Sequence, residues 1–163
     1  MKSLPLAVAF LLLVFSQFSG IVRADLVDDV CMRTDFPAIC TSTLRSDPGS
    51  ASADVKGLAR IVLPVVLTKT NETFAQVQNL LGQTSEPVLK AMLSDCSNDY
   101  GVRPNMEDVA GGAESCEELF SCADVGYVPG KTFCQPRPSP LTDRNHLVYA
   151  LARIAQDITA TFS

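Results

Sequence analysis

Apolar residues recur every three or four positions along most of this chain, the spacing that gives a helix one buried face. The cleanest run lies near the C-terminus. Leu147, Val148, Leu151, Ile154, Ala155, Ile158 and Phe162 form one stripe, and Thr142-Asp143-Arg144-Asn145 stands before it as a helix start. A longer run through Val55, Leu58, Ala59, Val62, Val66, Thr70, Phe74, Val77 and Leu81 predicts a long helix, capped by Ser52 and ended at Gly82. Inside it, the segment from Ile61 to Leu67 has a strand-like composition, and Pro64 removes one helical hydrogen bond. The period continues across the proline, which predicts a kinked helix. A break into two helices at Pro64 is the alternative.

Three shorter helices complete the pattern. Ser85-Glu86-Pro87 opens one, with Ser85 as cap, Pro87 in the first turn, and Val88, Leu89, Met92, Leu93 and Cys96 facing inward. It fades after Tyr100, where Gly101 and Pro104 intervene. Asn105 caps the next, with Glu107 and Asp108 in its first turn and Cys116, Leu119 and Phe120 at its end. Residues 25–46 read as two short helical pieces broken at Asp35-Phe36-Pro37, with Cys31 and Cys40 on either side of the break. A bridge between these cysteines would close a helical hairpin too small to hold itself together. Residues 121–141 are rich in Gly and Pro and read as a loop. No stretch alternates with period two for long enough to make a sheet. The fold class is therefore all-α, an up-and-down bundle with an N-terminal helical hairpin.

The first 24 residues stand apart from this pattern. Lys2 is followed by an apolar stretch from Leu4 to Phe18, shorter than a membrane span, and Val22-Arg23-Ala24 suits signal-peptidase cleavage. Residues 1–24 are therefore expected to be a signal peptide, with a membrane anchor as the rival reading, and 25–163 one exported, soluble domain. Removing Lys2 and Arg23 takes the formal charge from −5 to −7. Such a balance disfavours nucleic acid and anionic membrane and favours a basic protein partner.

All six cysteines, Cys31, Cys40, Cys96, Cys116, Cys122 and Cys134, fall after residue 24. An even number in an exported chain predicts disulfides, and six allow 15 pairings. Cys122 and Cys134 lie in one loop, so a local bridge is their simplest pairing. Zinc ligation would need paired short Cys-x-x-Cys spacings or several histidines, and there is one His, so no metal or cofactor is expected. Asn71-Glu72-Thr73 is an N-glycosylation sequon, and Asn71 is the expected acceptor. His146 has no accompanying nucleophile signature, and no catalytic residue is assigned.

An ordered series of residues then carries a resemblance. Cys31, Thr34, Pro37 and Cys40 read C-x-x-T-x-x-P-x-x-C, followed by Leu44, Asp47-Pro48 and Ser50. Further on come Leu58-Ala59, Pro87-Val88-Leu89-Lys90, Leu93, Cys96, Tyr100, Ser115-Cys116-Glu117, Phe120 and the run Ser139 to Asn145. In this order they closely resemble the plant invertase and pectin methylesterase inhibitor family. The resemblance implies an antiparallel four-helix bundle with a helical hairpin extension, and disulfides Cys31–Cys40 and Cys96–Cys116. It also implies a secreted, non-enzymatic protein of the cell wall that blocks an enzyme's active-site mouth in a one-to-one complex. A cysteine-rich ligand-binding or storage protein, and a degenerate member without inhibitory activity, are the alternatives.

Two departures bear on that expectation. Only 19 residues separate Cys96 from Cys116, about half of what the resemblance implies, so one bundle helix is expected to be short and to leave apolar surface uncovered. Invertase-directed members often carry Pro-Lys-Phe near the turn before the fourth cysteine. Here Pro104-Asn105-Met106 keeps only the proline, which tilts the expected target toward pectin methylesterase. From Asp95 to Asp124 eight acids face one base, Arg103, which suggests an acidic docking face. Arg103, Pro104, Asn105, Glu107, Asp108 and Glu114 are the expected partner-binding residues.

Overall fold

The computed structural model describes residues 25–101, 105–121 and 136–162. The expected signal peptide, Arg103, Pro104, Cys122 and Cys134 lie outside the described residues. The described residues form six α-helices and one 3-10 turn: α1 (Leu26–Cys31), α2 (Pro37–Arg45), the turn Pro48–Ser52, α3 (Val55–Gln83), α4 (Pro87–Gly101), α5 (Met106–Ser121) and α6 (Thr142–Ala160). The described residues contain no strand. Helices α3 to α6 pack in cyclic order, each against its two neighbours, and the α1–α2 hairpin leans on one end of α3 and α6.

The hairpin folds as the break at Asp35-Phe36-Pro37 requires. Asp25 caps α1 by accepting from Val27 N–H at 3.1 Å, and Pro37 occupies the first turn of α2. Cys31 and Cys40 are joined and fully buried, and the buried Thr34 hydroxyl donates to Cys31 O at 2.9 Å. Arg45 reaches back to Asp25 and Asp28 at 2.8 Å, but all three are half-exposed, so the pairs contribute little. The disulfide is the tie that matters at this size.

Helix α3 is continuous through Pro64 and does not break there. Pro64 lies on the solvent-exposed side, so the carbonyl that loses its partner is available to water. The stripe of buried Leu58, Ala59, Val62, Val66, Thr70 and Val77 runs along the opposite side into the core. Two expected caps move. The turn begun at Asp47-Pro48 runs on through Ser52, so the long helix starts later and Asp54 caps it, accepting from Gly57 N–H at 2.7 Å. At α4 the carbonyl that opens the helix belongs to Glu86, which accepts from Lys90 N–H at 2.9 Å, so Ser85 is not the cap. Val88 was expected to face inward and is 53% exposed, because Leu93, Cys96 and Tyr100 define the buried side of α4. The long helix also runs one residue past Gly82, to Gln83.

The expected short helix is present. Helix α3 has 29 residues and α4 has 15, so they measure about 43 Å and about 22 Å. Gln78 Nε2 donates to Ser97 Oγ at 2.6 Å, and this antiparallel register brings the end of α4 level with Phe74. Toward its N-terminus α3 has no α4 beside it. Leu63 is only partly buried there, and Leu67 is 53% exposed.

Asp157, near the end of α6, sits where the hairpin meets the bundle, in a hollow with Leu26, Val30, Arg33 and Val55. Burial holds its carboxyl above the usual 3.8, with nearby Arg153 and a hydrogen bond from the Asp35 backbone opposing the rise and the Asp35 charge adding to it. A carboxyl that binds its proton more tightly when folded costs stability once ionised, and the cost fades as the pH falls through the raised value toward 3.8. D157N is therefore expected to melt at a higher temperature than the parent near neutrality. The gap should close as the pH is lowered toward 4; thermal melts across that range check this, and a gap independent of pH would refute it.

Candidate functional site

Helix α5 presents the acids that sequence reading had gathered. Asn105 caps it through Oδ1, which accepts from Asp108 N–H at 2.9 Å, and Glu107 and Asp108 fill the first turn, where the helix dipole favours negative charge. Steps of four, three and four residues carry Glu107, Gly111, Glu114 and Glu118 along one face. Glu117 and Glu118 sit near the C-terminal end, where the dipole disfavours acids. Glu117 is compensated by two donors from α6: Thr142 Oγ1 at 2.6 Å and Asn145 Nδ2 at 2.8 Å.

Asn145 is the centre of this arrangement. It is 1% exposed, on the core side of α6. Its Oδ1 accepts from Tyr100 Oη at 2.8 Å, its Nδ2 donates to Glu117, and Cys116 Sγ lies 3.5 Å away. Cys116 is joined to Cys96 of α4. One buried amide thus links α4, α5 and α6 beside a covalent cross-link. A polar group at that depth is tolerated because each of its faces finds a partner.

A groove of about 330 Å³ runs between α5 and α6, lined by Ala113, Glu114, Glu117, Glu118, Thr142, Asn145, His146 and Tyr149. Its far wall is braced by the hairpin. The Phe36 ring packs edge-on against His146 at 5.8 Å and Tyr149 at 5.9 Å between centroids. At the other end Arg137 fixes the approach to α6. Its N–H donates to Phe120 O at 3.0 Å and its guanidinium grips Glu86 with both nitrogens, one of them at 3.1 Å. That hydrogen bonding holds the Glu86 carboxyl below its ordinary range and the Arg137 guanidinium above its own. The groove thus combines the carboxylates of Glu114, Glu117 and Glu118 with an apolar wall that includes Ala113 and the Tyr149 ring.

Of the expected partner-binding residues, Glu107 and Glu114 share the exposed α5 face. Asp108 is half-buried beside them, and Asn105 serves as the helix cap. Asn71 is exposed on α3, away from the groove. Sequence reading missed Glu117, Asn145 and Tyr149. The signal for Asn145 was its place three residues before Val148, on the buried side of the last helix, where a polar residue needs a partner. His146 meets Phe36 rather than a nucleophile. Among the described residues no group of three or more His, Cys, Asp or Glu is placed to hold a metal, and no helix is long and apolar enough to cross a membrane.

Comparison with known proteins gives a consistent result. The sequence model of the plant invertase/pectin methylesterase inhibitor family matches residues 25–123. A cell wall/vacuolar inhibitor of fructosidase from Arabidopsis thaliana is 37% identical over 101 residues, covering 57% of this chain and 56% of the relative. A pectinesterase inhibitor from Actinidia deliciosa is 31% identical over 98 residues, covering 60% and 53%. A second Arabidopsis thaliana protein, a pectinesterase inhibitor, is 28% identical over 90 residues, covering 54% and 52%. The chain spans about half the length of the curated relatives it matches.

Three variants test the lock beneath the groove. N145A strips partners from Tyr100 and Glu117 and is expected to cost about 2 kcal/mol in a denaturant melt, more than Y100F at about 1 kcal/mol. The double variant C96S/C116S frees the loop of 19 residues between the cysteines and is expected to cost about 3 kcal/mol. An N145A loss no larger than that of Y100F would contradict the central place given to the amide.

Proposed function

The chain belongs to the plant invertase/pectin methylesterase inhibitor family, and on that footing we propose that it is a secreted protein inhibitor. It docks on the active-site mouth of a cell-wall pectin methylesterase or acid invertase and forms a one-to-one complex. The three relatives described above are each named as an inhibitor of an enzyme. The observation that carries the reading is the α5–α6 groove. Glu114 and Glu118 are displayed on a helix pinned by the Cys96–Cys116 bridge and the Asn145 hydrogen bonds, so they dock without being ordered first. An interface of standard size buries about 1,600 Å² in total. Glu114 and Glu118 among its lining residues favour a basic target surface, while Glu117 is held by Thr142 and Asn145.

The two target classes are separated by titration. Purified, oxidised protein is added to pectin methylesterase and, separately, to acid invertase, and residual activity is followed. Stoichiometric loss for one enzyme is expected. No loss for either, with a cooperative melt intact, would sink the proposal in favour of a ligand-binding role. The acidic face makes a kinetic prediction as well. The association rate with the inhibited enzyme should fall as ionic strength rises. E114Q/E118Q should slow association more than it speeds dissociation, and a rate indifferent to salt would rule out the steering role.

A further inference from the structure

Among the described residues no helix follows the short α4 along the N-terminal half of α3, and the chain carries a chemical group placed to cover the face left there. On α3, Leu63 and Leu67 continue the line of Phe74 and Leu81 past the level at which α4 ends. Leu67 is the large apolar residue most open to solvent on this helix, at 53%. Asn71 lies one turn from Leu67 on the same side. It is exposed, and its side-chain amide meets no partner among the described residues. Asn71 also begins the sequon Asn71-Glu72-Thr73.

The geometry points to an N-linked glycan on Asn71 that lies over Leu63 and Leu67 and takes the place of the missing half of α4. The inference rests on the secretory route proposed above. In transfer, Asn71 Nδ2 bonds to C1 of the first N-acetylglucosamine of a lipid-diphosphate-linked oligosaccharide. The C1–O bond to the diphosphate breaks, the lipid diphosphate leaves, and the amide loses one proton to solvent. Transfer precedes folding of α3, because in the folded helix Thr73 is 1% exposed and its hydroxyl donates to Lys69 O at 2.8 Å. Glu72 does not compete for the site, since it pairs with Lys69 at 2.7 Å on another side of the helix. A carbohydrate there covers apolar surface that would otherwise favour self-association.

The test uses the full chain exported from a plant or yeast host. Intact mass before and after endoglycosidase treatment is compared for the parent and N71Q. The same samples are read for fluorescence of a dye that binds exposed apolar surface and for self-association by light scattering. The parent should carry a glycan that N71Q lacks, and N71Q should bind more dye and associate more. L67S added to N71Q should return both readouts to the parent's level. Trimming the glycan on the folded parent should raise dye binding without any substitution, which keeps the test valid if N71Q folds poorly. An exported parent without a glycan overturns the inference. So does N71Q with unchanged dye binding, or excess dye binding that L67S fails to remove. A chain retained inside the cell overturns both this inference and the export reading. Failure of the enzyme titration with these results intact would remove only the inhibitor proposal.

Discussion

Asn145 occupies the point where three helices of the bundle meet, and its amide has to be satisfied there. Oδ1 takes the Tyr100 hydroxyl from α4, Nδ2 gives to Glu117 of α5, and the Cys96–Cys116 bridge closes the same junction covalently. Removal of the Tyr100 hydroxyl takes from the buried Asn145 Oδ1 the partner it has there, and leaving a buried polar atom unmet costs more than the bond itself contributes when made. That asymmetry fixes the spacing of α4, α5 and α6. It also holds an acid, Glu117, at the dipole-unfavoured end of α5, so the acidic face is held in place from beneath.

The two ends of the molecule are stabilised by different means. The hairpin is too small to persist alone and depends on Cys31–Cys40, Phe36 against α6 and contacts at Val55 and Asp157. The far end depends on hydrogen bonds across loops, with Arg137 tying the start of α4 to the end of α5. Between them α3 runs the whole length and has α4 alongside only from about Phe74 onward. The bundle tolerates this because α6 packs along the remaining part of α3 and buries Val62 and Val66. Among the described residues, the edge of α3 past the end of α4 stays open at Leu67.

Much of this was legible in the chain, and the misses share a cause. Helical periodicity marked all six helices, because burial of one face is imposed locally by spacing. The bridge Cys31–Cys40 was legible in the break at Asp35-Phe36-Pro37 as well as in the ordered motif, whereas Cys96–Cys116 came with the motif alone. Cap assignments at Ser52 and Ser85 failed because several cap-competent residues stand in a row, and turn geometry, not composition, chooses among them. Val88 failed because the buried side of α4 is the one that carries Leu89, Leu93, Cys96 and Tyr100. Of the site, the acids of α5 were visible as a charge run. Asn145 was read as a helix start because its partners, Tyr100 and Glu117, are distant in sequence and only the fold brings them together.

Hydrogen exchange on the complex with the inhibited enzyme tests the central claim most directly. A locked groove that docks as a unit predicts new protection in peptides spanning Glu107–Ser121 and Thr142–Tyr149, with little change in the hairpin. Protection confined to the α1–α2 hairpin, or ordering of α5 only on binding, would contradict the claim that this face is fixed in advance and is the one that engages the enzyme.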